Sequence, residues 1–190
     1  MTTGKVKRIF IGIKIDPEGT LTRMISSLKS VLANDNIKWV DPANIHITLA
    51  FLGDTKEEKI KVATMMLRQV CKGFGQFNFT LSGTGLFKSF RDPRVIWAGI
   101  ENSKELVELN SLILKGLRES GFNIEDRPFR PHITIGRIKS IKDSDLLRKT
   151  LDRYKDVTFQ SVPVSEIILF ESILKPSGPV YISSGIFRLS

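Results

Sequence analysis

Hydrophobic and polar positions repeat along this chain with two periods, and the switches between them fall at glycines, prolines and Asn/Asp clusters. Arg8-Ile9-Phe10-Ile11-Gly12-Ile13-Lys14-Ile15 is rich in β-branched residues and stops at Asp16-Pro17, which predicts a first strand. Leu21, Met24, Ile25, Leu28, Val31 and Leu32 then recur at helical spacing, so an amphipathic helix is expected from Thr20 to Ala33, closed by Asn34-Asp35-Asn36. A short strand over Ile37–Val40 and a turn at Asp41-Pro42 lead into a strand from Ile45 to Phe51. Thr55 and Glu58 have the spacing of a capping box, and Ile60, Ala63, Leu67 and Val70 continue as one helical face up to Gly73–Gly75. Phe77–Leu81 alternates as a half-buried strand does, and Gly83–Gly85 is expected to break it.

The same order then recurs. After a polar loop containing Arg91-Asp92-Pro93-Arg94, Val95–Ile100 reads as a buried strand. Asn102 and Glu105 resemble a second capping box, before a helix marked by Leu106, Leu109, Ile113 and Leu117 that stops at Gly121. Arg127–Pro131 leads into a strand beginning at His132. Leu146, Leu147, Thr150, Leu151 and Tyr154 predict a fourth helix, and Val164–Phe170 and Val180–Phe187 read as closing strands. The repetition predicts an α+β fold: one domain over 1–190, built from pseudo-symmetric halves of about 1–90 and 91–190. Each half would form a lobe with an antiparallel sheet and outer helices, the two lobes facing a central cleft. Which closing strand joins which lobe stays open at this point.

Chemistry enters through the histidines. The chain has only two, and each opens the same triplet, His46-Ile47-Thr48 and His132-Ile133-Thr134, 86 residues apart. Side chains alternate across a strand. His46 and Thr48 therefore share one face, with Ile45, Ile47, Leu49 and Phe51 on the other; His132 and Thr134 repeat the division against Ile133 and Ile135. Two histidines titrating near neutrality can act as a pair, one accepting and one donating a proton. On opposite walls of a cleft they would address the entering and leaving oxygens of an in-line displacement at phosphorus. Residues two apart on a strand are separated by about 6.6 Å. Each threonine could thus hydrogen-bond a non-bridging phosphate oxygen while its histidine reaches the reacting one.

The remaining composition narrows the chemistry. Lys and Arg number 29 against 20 Asp and Glu, a formal charge of +9 that favours a polyanion such as RNA. A single cysteine, Cys71, excludes an internal disulfide, and its place on the apolar side of a helix reads as a small buried hydrophobe. Neither a His-Glu-x-x-His helix nor a cysteine cluster is present, so no metal or other cofactor is expected. No apolar run approaches the roughly 20 residues that cross a bilayer. The polar, basic start from Met1 to Arg8 and the short run after it do not form a signal-peptide core. A cytoplasmic protein without a membrane or an obligatory protein partner is expected.

His46-Ile-Thr-Leu-Ala-Phe-Leu-Gly53 and Pro131-His-Ile-Thr-Ile-Gly-Arg137 resemble the paired His-x-Thr motifs of the two-histidine (2H) phosphoesterase superfamily. The opening Arg8-Ile-Phe10-Ile and the length resemble its LigT/ThpR branch, the RNA 2′,3′-cyclic phosphodiesterases first described as 2′-5′ RNA ligases. The resemblance implies a bilobal fold and metal-independent opening of a terminal 2′,3′-cyclic phosphate on RNA or a nucleotide, leaving a 2′-phosphomonoester. It implies His132 as the proton acceptor that activates water, His46 as the proton donor to the departing 3′ oxygen, and Thr48 and Thr134 as holders of phosphate oxygens. Arg137 matches an arginine that follows the second motif. Strict alternation from His132, however, puts Arg130 on the histidine's face and Arg137 behind it, unless a bulge near Gly136 re-aims the chain. Both arginines stand as candidates. Phe10 matches an aromatic that could stack on a base, with a core phenylalanine as the other reading. Two other functions use the same residues: the reverse, ligating reaction, and a nucleotide- or RNA-binding module with little turnover.

Overall fold

A computed structural model of the chain describes residues 5–176 and 178–190; the start of the polar leader, Met1–Gly4, lies outside them. The strands are β1 (Val6–Lys14), β2 (Asn36–Trp39), β3 (His46–Lys56), β4 (Phe77–Ser89), β5 (Asp92–Glu101), β6 (His132–Ser140), β7 (Thr158–Val164), β8 (Glu166–Lys175) and β9 (Gly178–Arg188). The helices are α1 (Gly19–Val31), α2 (Glu57–Cys71), α3 (Lys104–Glu119) and α4 (Ser144–Asp152). Among the described residues no helix is long and apolar enough to cross a membrane.

The strands form two antiparallel sheets, ordered β3-β1-β8-β9 and β2-β6-β5-β4-β7. The expected α+β architecture is therefore present, one sheet carrying each triplet. The sheets exchange strands between the sequence halves. β8 and β9 complete the sheet that β1 and β3 begin, while β2 and β4 join β5, β6 and β7. Residue 90 falls in the tight turn of the β4–β5 hairpin.

Burial explains the layering. Ile9, Ile11 and Ile13 of β1 point to one face and are at most 3% exposed; there they meet Leu21, Met24, Ile25 and Leu28 from the inner face of α1 within one continuous core. The α3 stripe of Leu106, Leu109, Ile113 and Leu117 is also wholly buried, as its 3.6-residue period requires. Cys71 is buried in this core, and desolvation pushes its thiol up to about 11, the behaviour of an inert apolar side chain.

Four local expectations are corrected. Thr55 caps nothing: α2 starts after Lys56 with no side-chain cap, and the Thr55 hydroxyl donates back to the carbonyl of Gly53 (3.0 Å). Asn102 is likewise no cap, because it sits in the left-handed region (φ 53°) and Ser103 precedes α3. Gly83–Gly85 does not end a strand. Gly83 (φ 67°) is a bulge with no partner on β5, and Gly85 lies flat beneath Trp97, where a Cβ would stand 2.2 Å from the indole. The hairpin therefore runs on to Ser89. Finally, the strand expected over Val164–Phe170 is two strands parted at Ser165. The earlier one, β7, carries Pro163 at a sheet edge, where a missing N–H costs no ladder bond.

Candidate active site

Each histidine stands at the first residue of its strand and makes the same hydrogen bond. His46 Nδ1–H donates to the carbonyl of Asn44 and His132 Nδ1–H to that of Arg130, both at 2.7 Å and both two residues upstream. A carbonyl can only accept, so the proton is held on Nδ1 and Nε2 is the free nitrogen of each neutral ring. The rings are fixed by aromatic neighbours as well. Phe10 lies 4.8 Å and Tyr181 5.0 Å from His46, and Phe87 meets His132 edge-on at 4.6 Å.

Both histidines line one cleft of about 720 Å³, together with Thr48, Thr134 and Arg137. Among the described residues neither threonine hydroxyl has a hydrogen-bond partner within the protein. The walls carry three cations, Arg8, Lys38 and Arg137, against one acid, Asp41, which is engaged by the amide of Ala43. Among the described residues, no ion pair neutralises any of the three cations, so the cleft is held ready for an anion.

The charge surroundings tune the pair. Burial pushes the pKa of His46 below the usual 6.5; the bond to Asn44 opposes this, and Arg137 and His132 add to the lowering. His132 is lowered for the same reasons, by burial first, then Arg137, against the bond to Arg130. The Tyr181 phenol is raised by burial, partly offset by Arg137 and Arg8, so it remains a proton-bearing donor at neutral pH.

Pairing register decides which arginine reaches the cleft. Thr134 pairs with Trp97 and Gly136 with Ile96, leaving Ile135 without a partner on β5. That bulge shifts the alternation by one, so His132, Thr134 and Arg137 share a face. Arg137 lines the cleft, and exposed Arg130 does not, although its carbonyl holds His132. The expectation from strict alternation is thus overturned by the extra residue. The first motif behaves identically. Thr48 pairs with Gly12 and Ala50 with Ile11, so Leu49 is the unpaired residue, and Phe51 returns to the cleft face. Phe51, expected behind the strand, is 51% exposed in the cleft with the Arg8 guanidinium 4.8 Å over its ring. Phe51 and Arg137 therefore stand at the same place in the two motifs, five residues after the histidine.

Phe10 lines the cleft but is only 4% exposed, stacked at 4.9 Å on Phe170 and tilted against His46. Its faces are taken by protein, so it is a floor for His46 and has no free face for a base. Sequence reading missed Arg8, which shares the parity of Phe10 and was legible on that ground. It also missed Lys38, Phe87 and Tyr181, which reach the site through strand pairing and carry no local signal.

Residues 13–97 and 100–181 match the family model described as LigT like Phosphoesterase. The chain is 34% identical over 185 residues to a Methanothermobacter thermautotrophicus protein named RNA 2′,3′-cyclic phosphodiesterase, covering 96% of this chain and 98% of that one. It is 36% identical over 179 residues to a Thermotoga maritima protein of the same name, covering 92% and 91%. The crystal structure of TT0787 of Thermus thermophilus superposes with a TM-score of 0.79 at 30% identity, over 96% of this chain and 97% of that one.

Proposed function

The chain belongs to the LigT-like phosphoesterases, and we propose that it hydrolyses terminal 2′,3′-cyclic phosphates of RNA to 2′-phosphomonoesters. The observation that carries this reading is the matched pair of histidines, each with Nδ1 tied to a carbonyl and Nε2 free, in a cleft with unneutralised cations. Relatives named RNA 2′,3′-cyclic phosphodiesterase, at 32–36% identity over most of the chain, support the substrate class.

In this mechanism Nε2 of neutral His132 takes a proton from water as its oxygen bonds to phosphorus. The bond from phosphorus to the 3′ oxygen breaks in line with that attack. Protonated His46 delivers its Nε2 proton to the departing 3′ oxygen, so a 2′-phosphate and a 3′-hydroxyl remain. Thr48 and Thr134 donate to the non-bridging oxygens, and Arg137 balances the charge that gathers on them, the kind of preorganised contact that is often the largest catalytic contribution. Phe51 offers an exposed ring on which a base can stack. With a 5′-hydroxyl in place of water the same roles give 2′-5′ joining: His132 takes the hydroxyl's proton as its oxygen bonds to phosphorus, the bond to the 3′ oxygen breaks, and His46 protonates that leaving oxygen.

The test is incubation of a short RNA ending in a 2′,3′-cyclic phosphate with wild type, His46→Ala and His132→Ala, in EDTA, with a 5′-hydroxyl RNA also present. Wild type is expected to yield the 2′-phosphate, and each variant to lose about 10²- to 10⁴-fold in rate. A lengthened RNA as the main product would assign joining instead, and binding without turnover a binding module. Undiminished turnover in either variant refutes the mechanism.

A further inference from the structure

The parity change in β3 depends on a residue outside the cleft. Leu49 is the bulged residue, with no register partner on β1, and it is only 3% exposed. A buried carbonyl freed from a ladder has to find another donor. Nδ2 of Asn110, on α3, donates to Leu49 O at 2.6 Å. Asn110 is 2% exposed and is the one polar residue among the five buried positions of that helix. A polar side chain in an apolar stripe is the informative exception to hydrophobic burial.

The second motif shows why a side chain is needed. There the bulged residue is Ile135, and its carbonyl accepts from the backbone amide of Val40 at 2.9 Å, just past the end of β2. β6 is flanked by β2 and can draw on a backbone donor. Among the described residues β3 is the edge of its sheet, with β1 on one side and no strand on the other. Asn110 does for Leu49 what Val40 does for Ile135.

We propose that Asn110 is a positioning residue of the active site: by holding the Leu49 carbonyl it fixes the bulge that turns Thr48 and Phe51 onto the same wall of the cleft. It touches no substrate. Without its donor the Leu49 peptide relaxes toward regular pairing, and the backbone between Thr48 and Phe51 moves. Neither histidine's hydrogen bond to its carbonyl is involved, so the protonation behaviour of the pair is unaffected. The kinetic part of this inference rests on the cyclic phosphodiesterase reading.

The experiment compares Asn110→Leu, which keeps the volume and removes the donor, with Leu117→Ala, a cavity in the same helix stripe. Asn110→Leu is expected to lower kcat about 10- to 100-fold, as small misplacements of reacting groups do, and to raise KM, with the limbs of the pH profile unmoved. Leu117→Ala is expected to lower the melting temperature with kcat and KM within about twofold of wild type, since core truncations act on stability. In a Thr48→Val background Asn110→Leu should add little to the loss in kcat while still raising KM through Phe51, whereas in a Thr134→Val background its full kcat loss should multiply, because residues acting through one another are not additive. If Asn110→Leu does not fold, Asn110→Gln, which displaces the carboxamide by one methylene, is read against the same backgrounds. A fall in melting temperature with unchanged kinetics, or full multiplication in both backgrounds, overturns the proposal. Wild-type turnover tests the cyclic phosphodiesterase reading separately. Should wild type leave the cyclic phosphate intact, affinity for adenosine 2′-monophosphate replaces kcat as the readout for the same variants.

Discussion

Thr48 and Thr134 give the cleanest perturbation of the proposed mechanism. Replacing either by valine removes a hydroxyl and keeps the shape, and neither hydroxyl bonds to the protein among the described residues. Thr48 is exposed and Thr134 half-buried, so no buried polar partner is orphaned by the change. The melting temperature is therefore expected to stay within a degree or two, since surface substitutions away from special features fall within about 0.5 kcal/mol. The loss should instead fall on the reaction. A hydrogen bond to a charged group is worth about 1.5–3 kcal/mol, which is about 10- to 150-fold in kcat/KM. If the two hydroxyls hold different oxygens of one phosphate, the double variant should lose the product of the single losses, roughly 10²- to 10⁴-fold. The assay is initial-rate hydrolysis of an RNA ending in a 2′,3′-cyclic phosphate, with the 2′-phosphate product separated by chromatography. Less than a twofold loss in both single variants would refute the assignment. So would a double variant no slower than the worse single, which would mean that only one threonine meets the phosphate.

Three other outcomes follow from the surroundings of the site. Because burial and Arg137 lower both histidines, the bell-shaped profile of kcat/KM should centre below pH 6.5, and Arg137→Gln, with one lowering cause removed, should move its limbs to higher pH. The sign for stability is fixed too: between the depressed folded values and 6.5 the unfolded chain binds more protons. The melting temperature should then fall as pH drops below about 6.5, and a melting temperature that rises there would contradict the burial. Phe51→Ala should raise KM about 5- to 150-fold for a base-bearing substrate, the worth of one stacked base at about 1–3 kcal/mol. It should have little effect on ribose 2′,3′-cyclic phosphate, which has no base, and an equal loss on both would remove the stacking role.

Periodicity made the helices and most strands legible, because residues such as Leu106, Leu109 and Ile113 are buried by the packing that their spacing encodes. The histidine triplets were legible because they exhaust that residue type in the chain. The faces of Phe51 and Arg137 were not. Alternation holds only while the ladder is unbroken, and the bulges at Leu49 and Ile135 are set by partners on other strands and, for Leu49, on a helix. The caps failed for a related reason: Thr55 and Asn102 have the right spacing, but neither backbone starts a helix where the spacing says. Tyr181 and Phe87 reach the histidines across strand pairings whose register no local sequence states.

The exchange of strands between halves bears on how the chain comes to be folded at all. On a ribosome β1 and β3 emerge early, but the strand that flanks β1 on its other side, β8, begins only at Glu166. Phe170 and Tyr181, which enclose Phe10 and His46, are made later still. The first motif therefore waits, with an unpaired edge on β1, until β8 and β9 have been synthesised. Pairings so distant in sequence close slowly. A nascent chain arrested before β8 would expose that edge to its neighbours, so aggregation rather than partial activity is the expected fate of truncated products.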